Sequence, residues 1–89
     1  MIPQGAEEVH YEAEMVIVIG REAANVSQQD ALDYVLGVTI GNDISARRWQ
    51  KSDVQWWRAK GADTFAPVGP WIDTEVDPQK LEMIVRLND

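Results

Sequence analysis

From residue 8 to residue 19 the chain alternates. Val9, Tyr11, Ala13, Met15, Ile17 and Ile19 form one apolar face, while His10, Glu12 and Glu14 lead into Val16 and Val18 on the other. A period of two predicts a strand over 8–19, buried on both sides at its Met15–Ile19 end and meeting solvent near the glutamates. Gly20 turns the chain. Ser27 and Asp30 then have capping-box spacing, with Val26 and Ala31 as a staple. Ala31, Leu32, Val35 and Leu36 supply the stripe of a short helix that Gly37 stops. A second strand is expected at 38–44 (VTIGNDI), with Val38, Ile40, Asn42 and Ile44 on one face and Thr39, Gly41 and Asp43 on the other. Residues 45–61 are polar and aromatic and predict one or two short helical turns, with Ser52 and Gln55 at cap spacing and Gly61 as a stop. FAPVGPW, with two prolines, reads as a loop or edge segment. DPQKL can start a helical turn, and LEMIVRL alternates as a final strand with Leu81, Met83, Val85 and Leu87 on one face. No internal repeat or low-complexity tract interrupts this order.

Length and charge narrow the picture. At 89 residues the chain forms one domain at most, and a chain of this size buries only about 60–65% of its unfolded surface. The hydrophobic fraction of 45% and four tryptophans support a packed core and argue against disorder. A net charge of −7 excludes a nucleic-acid partner as the first expectation. Yet Arg47, Arg48, Lys51, Arg58 and Lys60 fall in one window. That asymmetry suits a small anionic ligand better than a polymer. The absence of cysteine removes disulfides and zinc-thiolate sites. The first residues, MIPQGAEE, lack a basic and apolar leader, and no apolar run approaches the ~20 residues of a membrane helix. A soluble, cytoplasmic protein with no membrane partner is expected.

The acidic residues carry the candidate chemistry. Glu12 and Glu14 share a strand face, about 7 Å apart at Cα by the strand rise. Alone, Glu-x-Glu reads as a solvated face. Here the pair leads straight into an apolar run, where unpaired carboxylates are costly, and Asp43 ends a second apolar strand. Three converging carboxylates repel unless a cation lies between them. All-oxygen ligation, with one histidine and no cysteine, selects a hard ion: Mg2+, Mn2+ or Ca2+.

Three blocks, YEAEMVIVIG, VSQQDALDYVLGVTIGNDISARRWQ and AKGADTFAPVGPW, occur in order over about residues 8–73. Together the segment resembles the core catalytic domain of the fumarylacetoacetate hydrolase family. The resemblance implies an α+β fold, a β-rich mixed-sheet roll, of which this chain is a part truncated at both ends, with one short helix between its first two strands. It implies a single partial domain over 1–89, with a metal-carboxylate segment at 8–45 and a substrate-cation segment at 45–65. Members cleave C–C bonds in β-diketo acids and acylpyruvates, decarboxylate oxaloacetate-like acids, or isomerise related enolisable keto acids.

By the same resemblance the metal ligands fall on Glu12, Glu14 and Asp43, and the ion is Mg2+ (or Mn2+ or Ca2+). The groups for the substrate's carboxylate and developing oxyanion fall on Arg47, Gln50 and Lys60, and Thr64 matches a threonine close to the metal. Arg48 reads as a solvated helix charge, His10 as structural or metal-peripheral, and Trp56, Trp57 and Trp71 as packing or dimer contacts. The implied partners are a small keto acid and a second copy of the chain, in a homodimer or larger assembly. The family's domain also carries an upstream histidine on a lid and a downstream Thr-Gly loop. Asn88-Asp89 resembles its next turn, which leaves 81–87 as an edge strand prone to association. Two classes follow: a metal-dependent hydrolase, decarboxylase or isomerase, or a non-catalytic module that keeps the fold core and the cation.

Overall fold

A computed structural model describes residues 1–88 of the chain. The alternating residues form strands, but in shorter pieces than the pattern predicts. β1 (Val9–His10) pairs antiparallel with β4 (Ser45–Ala46), and β2 (Ala13–Ile19) pairs with β3 (Val35–Asn42). Two short helices, α1 (Arg47–Ser52) and α2 (Trp57–Lys60), follow β4. The chain is thus mixed α+β, with small sheets and few short helices.

The chain divides into two compact units, residues 1–14 with 41–68 and residues 15–40 with 69 onward. In the first unit, Ala46 and Ala59 are fully buried. Gly61 ends α2, donating to the Trp57 carbonyl at 2.7 Å, as the stop signal predicts. The Ser52–Gln55 cap does not form. Trp56 precedes α2, and the Ser52 hydroxyl instead donates to Trp49 and Asp53 at the end of α1.

In the second unit, the Ser27 hydroxyl and the Asp30 carboxylate and N–H bond each other as the capping pattern requires. The helix they announce is only a 3-10 turn, Ala31–Tyr34. β3 starts at Val35 rather than Val38, because the β-branched run gains more from strand pairing than from another helical turn. Gly37 is therefore a strand residue, not a helix stop. A Cβ there would lie 2.9 Å from Ile72 Cγ2 and nearer still to the Asp73 carbonyl oxygen. The close approach permits the Val38–Asp73 bridge, with reciprocal N–H to carbonyl bonds of 2.9 Å. The turn at DPQKL forms over Pro78–Lys80, with Asp77 Oδ1 accepting from the Gln79 N–H.

Three expectations are corrected. The strand over 8–19 breaks at Tyr11–Glu12, for a reason given below. Its apolar end is not buried on both sides: Met15, Ile17 and Ile19 stay exposed, while Val16 and Val18 are half-buried. A two-stranded sheet buries a face only where another element packs on it. Residues 81–87 alternate but form no strand, because among the described residues no partner strand bonds to them. Leu81, Met83, Val85 and Leu87 are exposed accordingly. Asp89, the second residue of the expected turn, lies outside the described residues.

Candidate metal and acid-binding site

All the groups that meet at the candidate site belong to the first unit. A local clasp builds it. Where the first strand breaks, the Glu12 N–H donates to Asn42 Oδ1 at 3.0 Å, and the Asp43 N–H donates to the Glu12 carbonyl at 2.9 Å. These bonds replace the regular ladder and tie Glu12 to the end of β3. The β1–β4 ladder then sets His10 opposite Ser45, and the Arg47 N–H meets the Glu8 carbonyl at 3.0 Å as α1 begins.

The clasp brings the three carboxylates together. One oxygen from each of Glu12, Glu14 and Asp43 lies within 4.8 Å of the others. Glu12 and Asp43 are half-buried and Glu14 is exposed. A hard divalent cation takes oxygen donors at 2.0–2.6 Å, so ligand atoms this close together, all carboxylate, fit such an ion. The exposure of Glu14 departs from the expected boundary between solvent and core.

Cations from the helices surround this cluster. Arg47 Nη2 lies 2.6 Å from Glu12 Oε1, its Nη1 donates to Gln50 Oε1 at 2.8 Å, and its Nε donates to His10 Nδ1 at 3.3 Å. Gln50 therefore reaches the site through Arg47. The Lys60 ammonium contacts Asp43 Oδ2, lies 3.4 Å from Glu12 Oε2, and donates to Ser45 Oγ at 2.8 Å. Among the described residues no side-chain hydrogen bond or ion pair engages the Glu14 carboxylate. Thr64 is not brought to the carboxylates by any described bond; its hydroxyl joins the Met1 ammonium and carbonyl at the surface. Arg48 pairs with Glu7 and Glu8 on an exposed face, as a solvated helix charge should. Trp56, Trp57 and Trp71 are all more than half exposed.

Ser45 is the residue that the pattern did not single out. It is fully buried, accepts from Lys60, and donates to Glu12 Oε1 at 2.9 Å. This hydroxyl is the main cause that holds the Glu12 carboxyl below its usual value. Burial opposes it, and the Lys60 and Arg47 charges assist. Burial pushes the Lys60 ammonium down, but the hydrogen bond and charge of Asp43, with Glu12, outweigh it and leave Lys60 above its usual value.

The signs define a pH window. A depressed carboxyl stabilises the fold above its unfolded value, here about 4.5, and loses that contribution as pH falls. A raised ammonium stabilises below about 10.5 and loses its contribution as pH rises. The melting temperature should therefore fall on both sides of this window. Circular-dichroism melts across pH, with Glu12→Gln beside the wild type, should show a shallower acid limb in the variant. Equal limbs would remove Glu12 from the account.

Fold and site define a small α+β segment with a carboxylate trio ringed by basic side chains. The chain belongs to the fumarylacetoacetate hydrolase family, whose C-terminal model matches residues 1–89. It is 48% identical to the fumarylacetoacetate hydrolase domain-containing protein 2 homolog of Dictyostelium discoideum, over 97% of this chain and 32% of that one. It is 42% identical to oxaloacetate tautomerase fahd2, mitochondrial, of Xenopus laevis, over 98% of this chain and 29% of that one. The solved structure of 5-carboxymethyl-2-hydroxymuconate delta-isomerase from Mycobacterium smegmatis matches with a TM-score of 0.84 at 54% identity, over 88% of this chain and 31% of that one. The chain spans about a third of the length of these relatives. No helix among the described residues is long and apolar enough to cross a membrane.

Proposed function

We propose that this segment carries the divalent-cation half of an active site for small enolisable keto acids. The observation that carries the reading is the convergence of Glu12, Glu14 and Asp43 within 4.8 Å, beside Arg47 and Lys60. Glu12, Glu14 and Asp43 would hold Mg2+ or Mn2+, which when bound supplies Lewis-acid polarisation of a carbonyl or carboxylate oxygen. Arg47 orients the acid's carboxylate, and Gln50 fixes the Arg47 guanidinium. Lys60 stabilises negative charge that builds on the substrate oxygen as an enolate or tetrahedral carbon forms, a contribution of ~3–4 kcal/mol per donor in dry sites. C–C cleavage, decarboxylation and tautomerisation of keto acids all pass through such charge. Two of the relatives, an oxaloacetate tautomerase and a 5-carboxymethyl-2-hydroxymuconate delta-isomerase, are named for reactions of that class. The homodimer and the cytoplasmic location expected from the resemblance, and an outer place for Thr64, belong to the same reading.

A second reading is favoured by the engagement of the Lys60 ammonium on Glu12 and Asp43, away from any substrate. In it this segment binds the cation and turns nothing over. The two readings share a first test. Mg2+ or Mn2+ should raise the melting temperature of the wild type, by mass action on the folded state, and leave a Glu12→Ala, Glu14→Ala double variant unmoved. At a hundred times the dissociation constant the gain is about 2.7 kcal/mol. An equal response in both proteins would end the metal assignment. Turnover of acylpyruvates and oxaloacetate, with and without metal, then separates enzyme from binding module.

A further inference from the structure

Lys60 stands in two places at once. The acid chemistry needs its ammonium free to meet a substrate, yet here that ammonium is spent on Asp43 Oδ2, both oxygens of Glu12 and the hydroxyl of Ser45. Two of the three carboxylates that would bind a divalent ion are thus already engaged by a cation from the same chain. The seat is built rather than incidental. Ser45 is fully buried, and Lys60 sits at the end of α2, whose Ala59 is also fully buried. An ammonium and a doubly charged ion repel at contact distance in a partly buried site, so the two compete for the same oxygens.

We infer that Lys60 is an exchangeable counter-ion: it neutralises Glu12 and Asp43 until a divalent cation takes its place, and only then turns to the organic acid. The metal therefore precedes the acid. This inference rests on the proposed cation site and adds an order and a competitor to it. Arg47 does not share the role, since its guanidinium is fixed by Gln50 and His10 as well as by Glu12. Lys60 is held by carboxylates that a stronger cation would claim, and by one neutral hydroxyl.

The test is Mn2+ binding by titration calorimetry on the full chain, with circular-dichroism melts of the same proteins. Lys60→Met removes the competitor, and Lys60→Gln does so while keeping a donor toward Asp43 and Ser45, which covers a methionine variant that fails to fold. Both should bind Mn2+ at least about tenfold more tightly than the wild type, the scale on which one neighbouring charge moves a titration. Without metal they should melt below the wild type, because the carboxylates then lack their cation. Saturating Mn2+ should close or reverse that gap. Tight binding by the variants with none by the wild type would support the inference in its strongest form. Measurable wild-type binding with unchanged or weaker affinity in the variants would overturn the competition and leave the cation site standing. No binding by any of the three would overturn both.

Discussion

Gly37→Ala should lower the melting temperature by more than 10 °C in a circular-dichroism scan. The methyl group would be placed 2.9 Å from both the Asp73 carbonyl carbon and Ile72 Cγ2, and nearer still to the Asp73 carbonyl oxygen. Two of these three atoms are backbone, which cannot rotate away as a side-chain tip can. Relief requires the 72–73 segment to move off β3, and that breaks the paired Val38–Asp73 bonds. Overpacking of this kind costs roughly 1–3 kcal/mol and occasionally more, and the lost bridge adds about 1 kcal/mol for each bond. In a chain this small, each kcal/mol shifts the midpoint by about 4–8 °C. A wild-type melting curve would show that the 72–73 segment is not held against β3.

Ser45→Ala should cost about 1–3 kcal/mol, the range for removing one partner from buried polar groups. The midpoint should fall by roughly 5–20 °C. The hydroxyl serves Lys60 and Glu12 together, so both lose a bond while their burial persists. A second signature separates this role from mere packing. Because Ser45 is the main cause of the depressed Glu12 carboxyl, its removal lets that group return toward its usual value. The acid limb of the melting profile should then flatten, as less stability remains to be lost below about pH 4.5. A variant that melts lower with an undiminished acid limb would leave Ser45 as a packing residue only.

How far the chain was readable depends on where each feature gets its cause. The acidic trio was legible because Glu12 and Glu14 lead into one apolar run and Asp43 follows another, although the regular strand expected to pair Glu12 with Glu14 stops short of Glu12. Gly61 as a stop and the turn at Pro78–Lys80 were legible because both depend on neighbours in the chain. The break at Tyr11–Glu12 was not, since alternation continues straight through it. Its cause is the Asn42 side chain, thirty residues away. Gly37 misled for a similar reason: a glycine after an apolar stripe reads as a helix end, and its real neighbour, Asp73, is remote. Ser45 sits in a polar run, and nothing local signals that a two-residue ladder will bury it. Residues 81–87 show the converse: alternation states a preference for pairing but supplies no partner.

The placement of the indoles decides how this molecule can be watched by light. Trp57 and Trp71 are 77% and 75% exposed and Trp56 is 53% exposed, so these rings already emit as solvated fluorophores in the native state. Trp49 is half-buried, with the Arg58 guanidinium 4.6 Å above its ring. Its spectral share is the part that shifts when the first unit opens. Replacing the three solvated indoles with phenylalanine would turn the emission of Trp49 into a clean optical gauge of the helices that carry Arg47 and Lys60.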